Sequence, residues 1–148
     1  MTLNSGVWSA LTAVHVAATW WLVGLIWTIQ VVHYPSFDSI DRVGYTDFQD
    51  RHMQAMGRLI GFPWLVEGLC VLALFIFAPD NTTRALAAVG GLLEIVVIAV
   101  TITKSIPAHE ALRDGYVADA HRMLVDTNWW RTAAWSLRGV LALVILLR

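Results

Sequence analysis

Residues 8–33 form a run of 26 with no charged side chain other than histidine. At a spacing of three to four, Thr12, His15, Thr19, Leu22, Ile26, Gln30 and His33 share one face. The other faces carry Val, Leu, Ile, Ala and Trp. A helix this apolar all round predicts a membrane span. Its polar stripe has to face protein, because lipid cannot satisfy it. Three more apolar stretches follow, so spans are predicted at about 7–33, 59–77, 86–103 and 127–147.

Two amphipathic segments separate the spans. In residues 43–57, Tyr45, Phe48, His52 and Met56 share a face with Leu59. In residues 117–125, Val117, His121, Leu124 and Val125 do the same. Both patterns predict helices lying at the membrane surface. Pro35 is expected to end the first span by pushing Tyr34 out of helical geometry. Pro79-Asp80-Asn81-Thr82 predicts a tight turn. Pro107 can open a short helix that Gly115 ends, and Thr127 or Asn128 is the expected N-cap of the last span. Gly90, Gly91, Glu94, Thr101 and Ser105 lie on roughly one face, where the glycines would admit a close neighbour. The fold class is therefore all-α: one domain over residues 1–148, an antiparallel four-helix transmembrane bundle with two interfacial amphipathic helices.

Composition agrees with that pattern. The 148 residues are 57% hydrophobic and 14% charged, with net charge −1 and mean hydropathy +0.62. No basic cluster points to nucleic acid. The single cysteine, Cys70, sits in an apolar run and reads as a small core residue. Residues 1–6 lack Lys and Arg, and the apolar run after them is too long for a signal-peptide core, which predicts a retained first span. Arg42, Arg51, Arg58, Lys104, Arg113, Arg122 and Arg131 lie in or beside the two long connections. The opposite side offers Arg84 and Arg148. The positive-inside bias puts the long connections in the cytoplasm and both termini outside, which for a bacterial inner membrane would be the periplasm. Trp8, Trp64, Trp129 and Trp130 fall near span ends, as an interfacial aromatic belt would.

The two halves share a plan. An offset of 71 residues pairs Gly44-Tyr45 with Gly115-Tyr116, Arg51 with Arg122, Trp64 with Trp135 and Gly68 with Gly139. This suggests an internal two-fold repeat, and it sets Glu67 against Arg138.

Two constellations could carry chemistry. Glu67, Glu94 and Arg138 come out roughly 10–16 Å inside the bilayer by helix rise. Each ionised group there costs about 2.5–3.5 kcal/mol on the insertion scale, so the three are tolerable only if they face inward and pair. They are either a structural ion pair with one neutral glutamate, or a proton or metal site whose catalytic groups are Glu67, Glu94 and Arg138. The second constellation is His33, His52, His109 and His121, which four segments bring to the cytoplasmic level. It suits iron, copper or zinc, although no HExxH, ExxH or CxxCH motif is present. A b-type haem would use His33 or His15 as ligand. Those two lie about 27 Å apart by helix rise and cannot serve one site. Thr12, His15 and Thr19 find no charged partner in the other spans at this level of reading.

The elements His33-Tyr34-Pro35, Gly61-Phe62-Pro63-Trp64-Leu65-Val66-Glu67, Ile106-Pro107-Ala108-His109-Glu110, Asn128-Trp129-Trp130-Arg131-Thr132 and Trp135-Ser136-Leu137-Arg138 resemble those of a group of small bacterial four-helix integral membrane proteins. That resemblance implies the fold and brings no activity with it. A more distant resemblance is to anthrone-oxygenase-like membrane proteins, through a Pro-x-His/Asn element before the last span and a Trp-Asn…Arg element, to which Asn128-Trp129-Trp130-Arg131 is an approximate match. It implies oxygenase activity. The first span, with His15, Trp21 and Gly24-Leu25, is similar to membrane-type haem-binding protoporphyrinogen oxidases. No Pro-Arg follows the glycine here, so no ligands carry over.

Three functions are compatible with these features. One is a metal- or haem-binding membrane protein, an oxidoreductase acting on an apolar small molecule that enters from the lipid on the cytoplasmic side. Another is a non-enzymatic subunit of a homo-oligomer or larger membrane complex. The last is a small transporter with Glu67, Arg138 and Glu94 as a proton relay.

Overall fold

A computed structural model of the chain describes residues 3–148. Four long helices dominate: α1 (Ser5–Thr28), α2 (Tyr45–Ile76), α3 (Asn81–Val100) and α5 (Ala118–Leu146), with a short α4 (Ile106–Ala111) between the last two. No strand occurs among the described residues. α1 packs on α2 and α5, and α3 packs on the same two, so each long helix of the bundle has two long neighbours.

Side-chain caps set two helix starts. Asn4 accepts from the Val7 N–H at 2.9 Å, and Asp80 accepts from the Thr83 N–H at 2.9 Å. Gly115, at φ 140°, supplies the backbone freedom that turns the chain after α4. Gly139 is required for a different reason. A Cβ there would meet Val23 at 3.2 Å and the Trp20 ring at 3.3 Å, so it sets the close approach of α5 to α1.

The element order runs twice. Each of α1 and α3 ends in a five-residue π turn, Ile29–His33 and Thr101–Ser105. Each turn leads into a short proline-led helix, Pro35–Ser39 or Ile106–Ala111, and then into a long helix. The offsets between equivalent elements lie close to the 71 residues of the sequence repeat.

Three expectations fail here. The amphipathic segments are not separate surface helices: residues 45–57 are the first turns of α2, and residues 118–126 the first turns of α5. No breaker lies at either junction, and Pro63 is accommodated inside α2 without ending it. Thr127 and Asn128 are consequently not caps. Thr127 donates to the Met123 carbonyl within the helix, and Asn128 is fully buried. Tyr34 also keeps right-handed helical geometry before Pro35. The preceding π turn is wide, with the Tyr34 N–H reaching Ile29 O at 2.9 Å, and the next helix needs no N–H from a proline at its first position.

The bundle is apolar outside and polar within. Phe62, Leu65 and Leu69 of α2, Leu92 and Ile95 of α3, and Trp130 and Val140 of α5 are exposed, while Thr19, Glu67, Glu94, Asn128, Thr132 and Arg138 are buried. The α1, α2 and α3 regions are long and apolar enough to cross a membrane. α5 falls outside that set, because Arg122, Asp126, Arg131 and Arg138 interrupt it. Cys70 is buried, as its apolar surroundings predict.

Candidate functional site

The polar interior has two levels. The deeper one is the carboxylate–guanidinium layer. Glu67 on α2 is fully buried, and its Oε1 accepts from Arg138 Nη2 on α5. The same nitrogen lies 3.2 Å from Glu94 Oε2 on α3, and Arg138 Nη1 donates to the Gly90 carbonyl. Trp64 Nε1–H donates to Glu94 Oε1. The Arg138 guanidinium also sits over the Trp135 ring, 4.9 Å from its centroid. The sequence-predicted trio is thus one unit, and the residues that meet, Glu67 and Arg138, are those paired by the 71-residue offset.

Two neighbours of this layer went unread in the sequence. His15 Nε2–H donates to Glu67 Oε1 at 3.2 Å, and Thr19 Oγ1 donates to the same oxygen at 3.3 Å. The expectation that His15 lacks a charged partner is therefore wrong. Depth by residue counting put His15 too far from Glu67; α2 is long enough to bring the carboxylate to it. Trp64, expected at an interface, belongs to this layer instead.

The second level sits where the π turns widen α1 and α3. His33, His52 and His109 come together, with ring centroids 4.8 Å apart for the first pair and 5.0 Å for the second. His33 Nε2 and His52 Nδ1 share a hydrogen bond at 2.8 Å. Tyr34 Oη and His109 Nε2 are bonded at 3.1 Å, and Gln49 Nε2–H donates to His109 Nδ1 at 2.9 Å. His121 is separate. The Phe37 ring lies between it and the others, and its nitrogens go to the Tyr34 carbonyl at 2.7 Å and the Tyr116 hydroxyl at 3.0 Å.

Both nitrogens of His109 and of His121 already have partners, and His33 and His52 point nitrogens at each other. Among the described residues no three His, Cys, Asp or Glu side chains converge on a common point. His15, committed to Glu67, presents no ligand toward the histidine level. The donor set does not fit an iron, copper or zinc ion, nor a bis-histidine haem. His52 and His109 lie beyond the apolar stretches of their helices. Burial, then the neighbouring His33, holds His52 at about 4. Burial, then His52, Arg131 and His33, holds His109 at about 3. Both are neutral at pH 7.

Beside the histidines opens a cavity of about 360 Å³. One wall is α2, with His52, Met53, Met56, Gly57, Ile60, Gly61 and Trp64; the other is Thr101, Ser105, Ile106 and His109. Ile29, Tyr34 and Arg131 form its back. Gly57, Gly61 and Ile106 are exposed, so the mouth lies between the two walls, on the apolar outer surface of the bundle. Sequence reading found the histidines and not the space next to them. The signal available was Gly57 and Gly61, four apart on the cavity face of α2.

At the back, Arg131 is 7% exposed. Its Nη1 donates to Ser105 Oγ at 3.0 Å, while its Nε–H has no partner. Behind it, Asn128 Nδ2–H donates to Gln30 Oε1 at 2.8 Å, and Gln30 Nε2–H donates to the Val125 carbonyl at 3.2 Å, tying α1 to α5.

Compared with known protein families, curated proteins and solved structures, the chain matches none. The resemblances drawn above rest on their motifs alone.

Proposed function

We propose that the chain is an integral membrane protein that binds a small apolar or amphipathic molecule taken from the lipid on its cytoplasmic side. Four antiparallel spans carry the site. α5 serves as the fourth because its arginines 131 and 138 point inward while Leu137, Val140, Val144 and Leu146 face out. α2 has 32 residues, about 48 Å at about 1.5 Å per residue. That exceeds the ~30 Å hydrocarbon core, so its first turns project from the bilayer on the arginine-rich side. The cavity lies at that level. Such spaces, mostly apolar with a few converging polar groups, are what small-molecule sites look like.

The observation that carries this reading is the 360 Å³ cavity with Tyr34, His52, His109 and Arg131 at its inner end. Space of that size holds roughly a dozen groups of water's molecular volume, enough for a single chain or a small ring system and too little for a two-chain phospholipid. No metal or haem step belongs to the proposal.

The test uses protein in lipid nanodiscs and a brominated dodecanol, which quenches tryptophan fluorescence on contact with Trp64. A Cβ at Gly61 would meet nothing within 4 Å, so Gly61→Leu fills the space without a clash at Cβ. Saturable quenching in the parent that is lost in Gly61→Leu supports the proposal. Equal quenching in both defeats it.

A further inference from the structure

Arg131 and Arg138 lie seven residues apart on the same side of α5, and both are more than nine-tenths buried. Arg138 has two carboxylates. Arg131 has none: no Asp or Glu among the described residues comes within ion-pair distance of it. A guanidinium cannot shed its proton to escape this, as a buried lysine or histidine can. Buried charges are otherwise paired. The groups around it are neutral donors and acceptors: Ser105, the Tyr34 hydroxyl and His109. The side chain is at the back of the cavity, which contains no other formal charge, since His52 and His109 are uncharged at pH 7.

We infer that the cavity takes a single-chain amphiphile with a carboxylate head, seated with that head on Arg131 and its apolar body between α2 and the Thr101–Ser105 turn. The inference rests on the cavity reading above and adds the charge of the ligand. A guanidinium fork accepts a carboxylate with two parallel hydrogen bonds, and here the Nε–H that has no protein partner is free to make one of them. The Tyr34 hydroxyl beside the guanidinium is a further donor to the same head. One cation in the site matches one negative charge. Met53, Met56 and Ile60 line the space for the apolar body, and methionine adapts to chains of different shape.

Brominated dodecanoate, dodecanol, dodecylammonium and dodecyl phosphate are titrated into nanodisc-held protein at about pH 8, where carboxylic acids are ionised. Dodecanoate should bind at least about tenfold more tightly than dodecanol, the worth of one charge-assisted contact, with dodecylammonium weakest. Arg131→Gln should erase the difference between acid and alcohol while leaving alcohol binding in place. Arg131→Lys, which keeps the charge, should retain most of it, and carries the test if Arg131→Gln does not fold. Equal affinity for acid and alcohol in the parent overturns this inference and leaves the cavity reading standing. Tighter binding of dodecyl phosphate than of dodecanoate overturns the carboxylate assignment. Saturable binding of none of the probes defeats both readings.

Discussion

Removing Arg138 should be far more damaging than removing either carboxylate it holds. Arg138→Met keeps the length and apolar stem of the side chain but leaves Glu67, fully buried, and Glu94, 9% exposed, facing each other without a cation. It also removes the second hydrogen bond to the Gly90 carbonyl, which keeps its intrahelical one. Breaking a buried ion pair by deleting one partner costs about 3–5 kcal/mol. With two carboxylates stranded, the upper end, about 5 kcal/mol, is expected. Glu67→Gln differs in kind. Arg138 keeps Glu94 at 3.2 Å, and the amide oxygen can still accept from Thr19 or His15, so the loss is that of a charge-assisted bond, about 1.5–3 kcal/mol. The double variant removes the cation and one of the two anions together and should cost about 3–4 kcal/mol, well below the sum of the singles. The coupling energy is then about 3 kcal/mol, at the top of the range for residues in one network. Equilibrium unfolding in mixed micelles, with the fraction of SDS as denaturant, measures all three against the parent. The reasoning is refuted if Arg138→Met is no costlier than Glu67→Gln, or if the double variant costs the sum of the two.

Other consequences follow from individual contacts. Asn128→Leu strands Gln30 Oε1 in the interior and should cost about 1–3 kcal/mol in the same assay; a neutral result would mean the Gln30–Asn128 bond does not hold α1 to α5. Gly139→Leu drives a side chain into Val23 and Trp20, and overpacking of that kind costs about 1–3 kcal/mol. Gly68→Ala, where a Cβ has open space, should be silent by comparison. His52 and His109 bind protons less readily folded than unfolded, so their contribution is intact above the unfolded value of about 6.5 and is lost as pH falls below it, toward their folded values of about 4 and about 3. Allowing for partial exposure, each should cost about 1 kcal/mol per pH unit in that window, and stability that stays flat from about pH 7 to about pH 5 would show that these imidazoles are not buried neutral.

The apolar periodicity revealed the helices, but a change in hydropathy hid the continuity of two of them. Among the buried and cavity-facing residues of α2 are Tyr45, Gln49, His52, Met56, Ile60, Trp64, Glu67, Cys70 and Leu74. Their spacing of three or four never breaks, so one stripe runs the length of the helix. Read by polarity, the stripe divides near Arg58, because the outward face switches there from charged to apolar while the inward face does not. The same switch in α5 made Asn128 look like a cap. What changes at these points is the character of the outward face, and the backbone stays helical on both sides. The convergence of His33, His52 and His109 was legible because three segment ends had to meet at one level. Which nitrogen each would offer was not, since Tyr34 and Gln49 intercept His109 from positions whose side-chain directions depend on the π turn.

The two inward arginines show where sequence stops and structure takes over. In the chain they are alike: both interrupt the same apolar helix, seven residues apart, and both demand a partner. Counting charges by depth put Glu67 and Glu94 beside Arg138 and made both that trio and the four histidines candidates for chemistry. The structure brings the trio together and opens a cavity beside Arg131. Three of the histidines are engaged, His33 and His52 with one another and His109 with Tyr34 and Gln49, and burial keeps His52 and His109 uncharged at pH 7. Arg131, about two turns before Arg138 on the same side of α5, differs from it in having no carboxylate of the described residues within ion-pair distance. It places a fixed positive charge at the back of an apolar cavity that opens on the outer surface of the bundle. A buried charge without a counter-ion is costly, so Arg131, more than any histidine, is the residue on which the proposed function should be tested.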